Sequence, residues 1–307
     1  MGRYIVRRVI SGIVTLFVLL VVTFFLMHIV PGSPFAQHED KMPPEIRAQV
    51  EAKYGLDRPL MEQFITYLGN TLRGDFGISF IKPSTNVNEI LDRGFPISAR
   101  VGAIVVVVSL LIGVGIGILS AIRRGSLLDN AVMVFATVGV SVPLFVISVL
   151  LLYLFAGVWN VLPTYGLTTW RHYILPVACL SFSPIAYIAR LTRSSMLEVI
   201  EQDYIRTARA KGVKESMVIL GHALRNAILP VVTYLGPLVA SLLTGSFIVE
   251  RLFAIPGMGR YYVESIGSRD YNVILGMTVF FGIFVVACNL LVDILYGIID
   301  PRVKMDE

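Results

Sequence analysis

Asp203-Tyr-Ile-Arg-Thr-Ala-Arg-Ala-Lys-Gly212, followed at a distance by Asn226-Ala-Ile-Leu-Pro230, is a basic, helix-prone stretch set between long apolar runs. Glu198 to Lys211 reads as one helix, with Ala208 and Ala210 near its end, and Gly212 suits the left-handed residue that stops a helix. A second helical stretch is expected from about Lys214 to Asn226, meeting Leu229-Pro230 at the next apolar run. On the first helix Ile200, Tyr204, Ala208 and Lys211 recur at three- and four-residue spacing, a narrow apolar stripe flanked by Arg206 and Arg209. Such a face fits a groove on a partner. Its basic content equally permits a helix lying on anionic lipid, although lipid anchoring favours bulkier apolar residues.

The rest of the chain explains why such a loop stands out. Of 307 residues, 55% are hydrophobic and only 15% charged, with a mean hydropathy of +0.75. A soluble domain carries about 25% charged residues, so the composition is that of an all-α polytopic membrane protein solvated by lipid. The net charge of +5 reads as loop asymmetry and not as a nucleic-acid surface. Cys179 and Cys288 both lie in apolar runs, without disulfide or metal spacing. The first apolar run, 9–30, exceeds the core of about 7–15 residues of a signal peptide and leads into Pro31-Gly-Ser-Pro34, so it reads as a retained span.

A span needs about 20 apolar residues, and six runs qualify: 9–30, 100–122, 131–157, 173–193, 228–249 and 274–298. The fourth is the weakest, because Pro176 and Pro184 interrupt it. Lys and Arg in the short loops set orientation. Arg3, Arg7, Arg8, Arg123, Arg124, the seven basic residues of 190–225, Arg302 and Lys304 fall on one side. The opposite short loops hold only Arg171, Arg251, Arg260 and Arg269, which puts both termini in the cytoplasm. The chain divides into a tail with the first span (1–30), an external loop (31–99) and a five-span core (100–307) whose loop 194–227 carries the opening stretch. In the external loop, Pro43-Pro44-Glu45 resembles a helix start with Gly55 as its stop. Pro59 to Leu72 predicts a second helix with Leu60, Phe64, Tyr67 and Leu68 at helical spacing, and Gly74-Asp-Phe-Gly77 a turn. Such a loop serves either as a cap over the bundle mouth or as a dock for an external partner.

Several chemistries are absent. No Gly-x-x-x-x-Gly-Lys-Ser/Thr phosphate loop, no His-Glu-x-x-His and no Gly-x-Ser-x-Gly occurs. The four histidines are scattered over separate elements. Asn289 and Asp293 share a face of the last span, either as a proton or substrate contact or, preferred here, as an interhelical polar clamp. Ser241, Thr244, Gly245 and Ser246 form a small, polar patch on the fifth span, read equally as tight packing or, with Ser141, as lining of a translocation path. Gly139-Val-Ser-Val-Pro143 breaks the third span, as a kink or as a hinge. Arg251, Arg260, Arg269, Glu250, Glu264 and Asp270 give the last external loop mixed charge, by default a solvated face.

Arg206-Thr-Ala-Arg-Ala-Lys-Gly212 with Asn226-Ala-Ile-Leu-Pro230 resembles the signature loop of binding-protein-dependent ABC importer permeases, above all the peptide/nickel branch. The likeness runs along nearly the whole chain, through Asp92-Arg-Gly-Phe-Pro96, Arg190-Leu-Thr-Arg-Ser-Ser-Met196, Glu250-Arg-Leu-Phe-Ala-Ile-Pro-Gly-Met-Gly259, Arg269-Asp-Tyr271, Asn289-Leu-Leu-Val-Asp293 and Asp300-Pro-Arg302. Two departures from the broad permease pattern, Arg206-Thr207-Ala208 in place of Glu-Ala-Ala and the long spacing from Gly212 to Pro230, resemble that branch as well. The first of its two permease subunits, of oligopeptide type, is the most similar.

The resemblance implies a permease subunit of an ATP-driven peptide importer in the cytoplasmic (inner) membrane, with nickel, glutathione or another small solute as the alternative cargo. It implies a coupling helix over Tyr204, Arg206, Thr207, Ala208, Arg209, Ala210, Lys211 and Gly212, seated on a cytoplasmic ATPase. It implies as partners a second homologous permease, two ATPases that bind ATP and Mg, and an extracytoplasmic binding protein docked near Arg251, Arg260, Arg269 and Asp270. This chain itself would hold no cofactor or metal and would not be an enzyme. A membrane-embedded hydrolase and an ion-coupled carrier are the remote rivals.

Overall fold

The computed structural model describes residues 2–29, 49, 51–52 and 54–299. Among them every long regular element is a helix. The first, α1 (Gly2–Ile29), leaves Val6, Ile10, Ile13, Val14, Phe17 and Val18 exposed. That outward apolar column is what lipid in place of water demands. Its other face packs on the last helix, where a methyl at Gly12 would lie 2.6 Å from Val286 Cγ1. The helix start expected at Pro43-Pro44-Glu45 lies outside the described residues. Gly55 has φ +67°, and α2 (Leu60–Leu72) follows Pro59 as the periodicity predicts. Gly74 and Gly77, at φ +78° and +83°, make the turn beyond it.

The second span begins 13 residues earlier than its apolar run. Asn86 caps α3 (Val87–Ile122) by accepting from the Asn88 N–H, and Pro96 sits inside it. The boundary drawn at residue 99 therefore falls within a continuous helix.

The expected third span is not a straight rod. It consists of α4 (Leu127–Ser141) and α5 (Leu144–Leu151), the latter continued by a π-wound stretch, Leu152–Val158. The two arms meet at 107°. Val142 is extended at the break because the residue before a proline is driven from the α region, and Pro143 offers no N–H to continue the ladder. The fourth span corrects the sequence reading in one respect. Despite Pro176 and Pro184, α6 (Arg171–Ile200) is unbroken over 30 residues. It is the most buried of the spans, and prolines are tolerated in a span that is packed among other helices.

The remaining elements are α7 (Asp203–Ala210), then α8, three joined segments Glu215–Met217, Val218–Ala223 and Leu224–Ala227 with the middle one π-wound. They continue as α9 (Leu229–Leu243), α10 (Phe247–Leu252), α11 (Met258–Ser268) and α12 (Tyr271–Ile299). Among the described residues five helices are long and apolar enough to cross a membrane, and the bent α4–α5 pair supplies a sixth if its two arms together form one span.

Small residues set the central packing. Cβ atoms added at Gly113 and Gly117 would lie 2.8 Å from Ile188 Cβ and 2.6 Å from Thr192 Cβ, both on α6. One added at Gly139 would lie 2.5 Å from Ala186 Cβ. α3, α4 and α6 therefore approach backbone to backbone, the way helices associate where lipid supplies no hydrophobic drive. Two further clusters close the ends. Phe24, Phe64, Tyr67, Phe76, Val87 and Leu275 pack at the end that carries α2, the cap end. Ala121, Met196, Ile205, Ala208, Val218, Ala223 and Ala227 pack at the other, the basic end.

Candidate functional site

The stretch 203–227 forms a compact helical knob at the basic end. The single helix expected over Glu198–Lys211 is interrupted, because Gln202 is extended between α6 and α7. α7 then ends in a complete Schellman motif. The Val213 N–H donates to the Ala208 carbonyl at 3.3 Å and the Gly212 N–H to the Arg209 carbonyl at 2.9 Å. Gly212 takes the left-handed φ of +75° that this motif requires.

The buried face of α7 differs from the stripe read in the sequence. Ile205 and Ala208 point inward, while Tyr204 and Lys211 are exposed. Ile205 and Ala208 pack on Met196, Ala121, Val218, Ile219, Ala223 and Ala227 of this same chain. The apolar face is thus spent internally, and Tyr204, Arg206, Thr207, Arg209, Ala210, Lys211 and Gly212 form a polar outer surface. Two links brace it. Asn226 Nδ2 donates to Tyr204 Oη at 2.7 Å, joining the two halves of the sequence signature. Arg209 grips Glu215 through Nη2–Oε1 at 2.7 Å and Nε–Oε2 at 3.2 Å. The guanidinium holds the Glu215 carboxyl below the usual carboxylate range, and the carboxylate pushes Arg209 up in return.

Directly behind the knob lies a buried ion pair that sequence reading missed. Asp129, 3% exposed, receives Arg193 Nε at 2.5 Å and Nη2 at 2.8 Å. It also accepts from Ser120 Oγ at 2.5 Å and the Gly125 N–H at 2.9 Å. Arg193 is on α6, one helix before the knob, and Asp129 opens α4, so the pair ties the root of the knob to the bent span. A signal was available: Ser126-Leu-Leu-Asp129 is a capping pattern, and Ser126 Oγ does accept the Asp129 N–H at 3.2 Å.

The proposed path residues fall at two breaks. Ser141 is exposed at the end of α4, at the 107° elbow. Ser241 and Thr244 bond back to the carbonyls of Leu238 and Ala240 at 2.9 Å each. Gly245, at φ +92°, and Ser246 separate α9 from α10. Asn289 lies against Gly236 of α9, and Asp293 pairs with Arg8 of α1 at 3.2 Å. That pairing is the interhelical clamp that their spacing suggested.

The mixed-charge loop between α9 and α12 is less solvated than its composition suggests. Arg251 is exposed, and Arg260 pairs with Glu264 at 2.7 Å. Arg269 adopts a left-handed φ of +59°. Asp270 does not present its carboxylate outward. It is buried and bonds Ser79 Oγ and, at 3.0 Å, the Phe80 N–H, fastening the turn after α2 to the start of α12. Glu250 is likewise buried. It accepts from Ser98 Oγ at 2.7 Å and from the Arg260 N–H at 2.9 Å, while the Met258 N–H donates to Ser98 Oγ at 2.9 Å. A methyl on Gly245 or Gly257 would overlap that carboxylate. The glycines of Glu250–Gly259 were the legible trace of this nest; Ser98 left none.

Comparison with known proteins gives the same organisation. The family described as "Binding-protein-dependent transport system inner membrane component" matches residues 113–305, and its N-terminal membrane component matches residues 1–102. The dipeptide transport system permease protein of Bacillus subtilis (strain 168) is 47% identical, over 100% of this chain and 99% of its own length. The oligopeptide transport system permease protein of Haemophilus influenzae is 42% identical, over 99% of this chain and 100% of its own. Among solved structures, the methionine ABC transporter in an inward-facing conformation shares the fold, with a TM-score of 0.56 at 20% identity over 69% of this chain and 96% of that one. An amino acid ABC transporter gives 0.53 at 16% identity, over 68% and 94%. With its bent third span, its helical knob and these full-length relatives, the chain belongs to the family of inner membrane components of binding-protein-dependent transport systems.

Proposed function

We propose that this chain is the permease subunit of an ATP-driven importer that moves peptides, handed over by an extracytoplasmic binding protein, into the cytoplasm. The observation that carries the reading is the knob at 203–227. Its apolar side is locked into this chain's own core, its polar side is left outward, and its root is bolted to α4 through Arg193 and Asp129. Such a part suits transmission of force better than storage of affinity. Peptides are favoured as cargo because the full-length relatives quoted above are permease proteins of dipeptide and oligopeptide systems. Identity is higher with the dipeptide protein, which weakens the lean toward the oligopeptide type.

In this reading two ATPases bind ATP and Mg, and this chain pairs with a second, homologous permease. Both termini lie in the cytoplasm. ATP-driven closure of the ATPases draws the two knobs together, and the bundle turns from inward-open to outward-open by a shift in population. The outer surface of the knob, Tyr204, Arg206, Thr207, Arg209, Lys211 and Gly212, meets the ATPase in a polar, reversible contact. The test is Gly212→Val in the full complex. A β-branched residue is strained at φ +75°. Peptide uptake falls while membrane insertion persists and ATP hydrolysis continues without transport; uptake equal to that of the unaltered protein overturns the coupling role.

A further inference from the structure

α2 lies at the cap end, and its side chains divide into three faces. Phe64 and Tyr67 are buried against the bundle. Gln63, Thr66 and Asn70 border a cavity of about 280 Å³ beside Arg58, Tyr54 and Asn272. The third face holds Met61, Ile65, Leu68 and Leu72, spaced by four, three and four residues. At 100° per residue these four fall within an arc of about 60°. Leu68 packs on the core, but Met61, Ile65 and Leu72 stand 59%, 61% and 80% exposed. A helix that merely capped the bundle under water would carry polar residues there.

Depth and continuity indicate what covers this face. Phe64 packs edge-to-face on Phe24 and at a tilt on Phe25 of α1, with ring centroids 5.3 and 5.7 Å apart. Those rings sit four and five residues before the end of the first span at Ile29, roughly 6–8 Å below its tip. The exposed column of α1 continues to this level through Val22, Leu26 and Ile29. Exposed Arg58, which also pairs with Glu62 at 3.2 Å, and exposed Arg73 flank α2 at its two ends, where lipid phosphates would meet them. We infer that α2 is an interfacial helix whose Met61–Ile65–Leu72 face lies in the leaflet at the cap end, among acyl chains just below the headgroups, so that the cap is moored to lipid as well as to the bundle.

The experiment is a nitroxide scan of the full complex reconstituted in phospholipid vesicles. Single cysteines carry the label at 61, 65 and 72, and at 62 and 66, with Cys179 and Cys288 replaced by Ala. Labels at 61, 65 and 72 are expected to collide severalfold more with oxygen, which partitions into acyl chains, than with a water-soluble nickel chelate; those at 62 and 66 show the reverse. Dominant collision with the chelate at 61, 65 and 72 means a wet surface and overturns the inference. Access by neither reagent means that protein covers the face and overturns it as well.

Discussion

Arg193 and Asp129, 64 residues apart, meet through two parallel contacts of 2.5 and 2.8 Å, with the carboxylate almost wholly out of solvent. Geometry of this kind is strong in the bonds it makes and costly when one side is removed, because the survivor is left desolvated. Asp129→Ala should destabilise the chain by about 3 kcal/mol. Replacing both partners, as in Asp129→Leu with Arg193→Met, should cost clearly less. Thermal unfolding of the purified complex in detergent, run on both variants, measures the difference.

The glycines of α3 give a prediction with its own control. Gly117→Ala pushes a methyl to 2.6 Å from Thr192 Cβ and 2.7 Å from the Ala189 carbonyl oxygen, neither of which can swing away. It should cost about 1–3 kcal/mol. Two residues earlier, nothing lies within 4 Å of a methyl at Gly115, so Gly115→Ala should leave stability unchanged or raise it by roughly 0.5–1 kcal/mol. Equal melting temperatures for the two variants would contradict the packing described.

Glu250 is held by two donors, and Ser98 in turn holds the Met258 N–H. Glu250→Ala should cost about 3 kcal/mol, since it orphans the Ser98 hydroxyl and the Arg260 N–H in a buried site. Glu250→Gln keeps the shape and one acceptor and should cost about 1 kcal/mol. Unfolding of the two variants, compared in one detergent, checks the order.

The Arg209–Glu215 link is exposed, so salt screens it. Its pH dependence follows from the sign of the shifts. Glu215 titrates lower in the folded knob than when free, so its contribution is complete above the ordinary glutamate range and disappears as pH falls through the lowered value. Arg209 is shifted upward, which matters only in strong alkali. Backbone hydrogen exchange over 209–215, corrected for intrinsic rates, should be flat from about pH 8 to 5 and rise with added salt or in Glu215→Gln. A rise between pH 7 and 6 would contradict this pairing.

Much of this was legible beforehand. Long apolar runs announce spans because lipid leaves the backbone no other partner, and Gly212 announced its left-handed turn. The prolines misled in one direction only. Pro143 breaks its span where the sequence placed a break, at 107°, whereas Pro176 and Pro184, read as interruptions, are absorbed by a buried helix. Local sequence cannot say which carbonyls a neighbour will support. The knob's buried face was misassigned because Ile205, and not Tyr204, turns inward once Gln202 resets the phase of the helix. Glu250 and Asp270 looked solvated by composition alone; their partners Ser98 and Ser79 lie more than 150 residues away.

The elbow at Ser141–Pro143 has one last implication. It comes after a 15-residue arm, about 22 Å along its axis, and hydrocarbon cannot hydrogen-bond the backbone groups that a broken helix uncovers. Irregular main chain persists at membrane depth only beside water or inside protein. The corner therefore works as an address: where the α4–α5 pair forms one crossing, its flank at Ser141–Pro143 faces protein or water and not lipid tails.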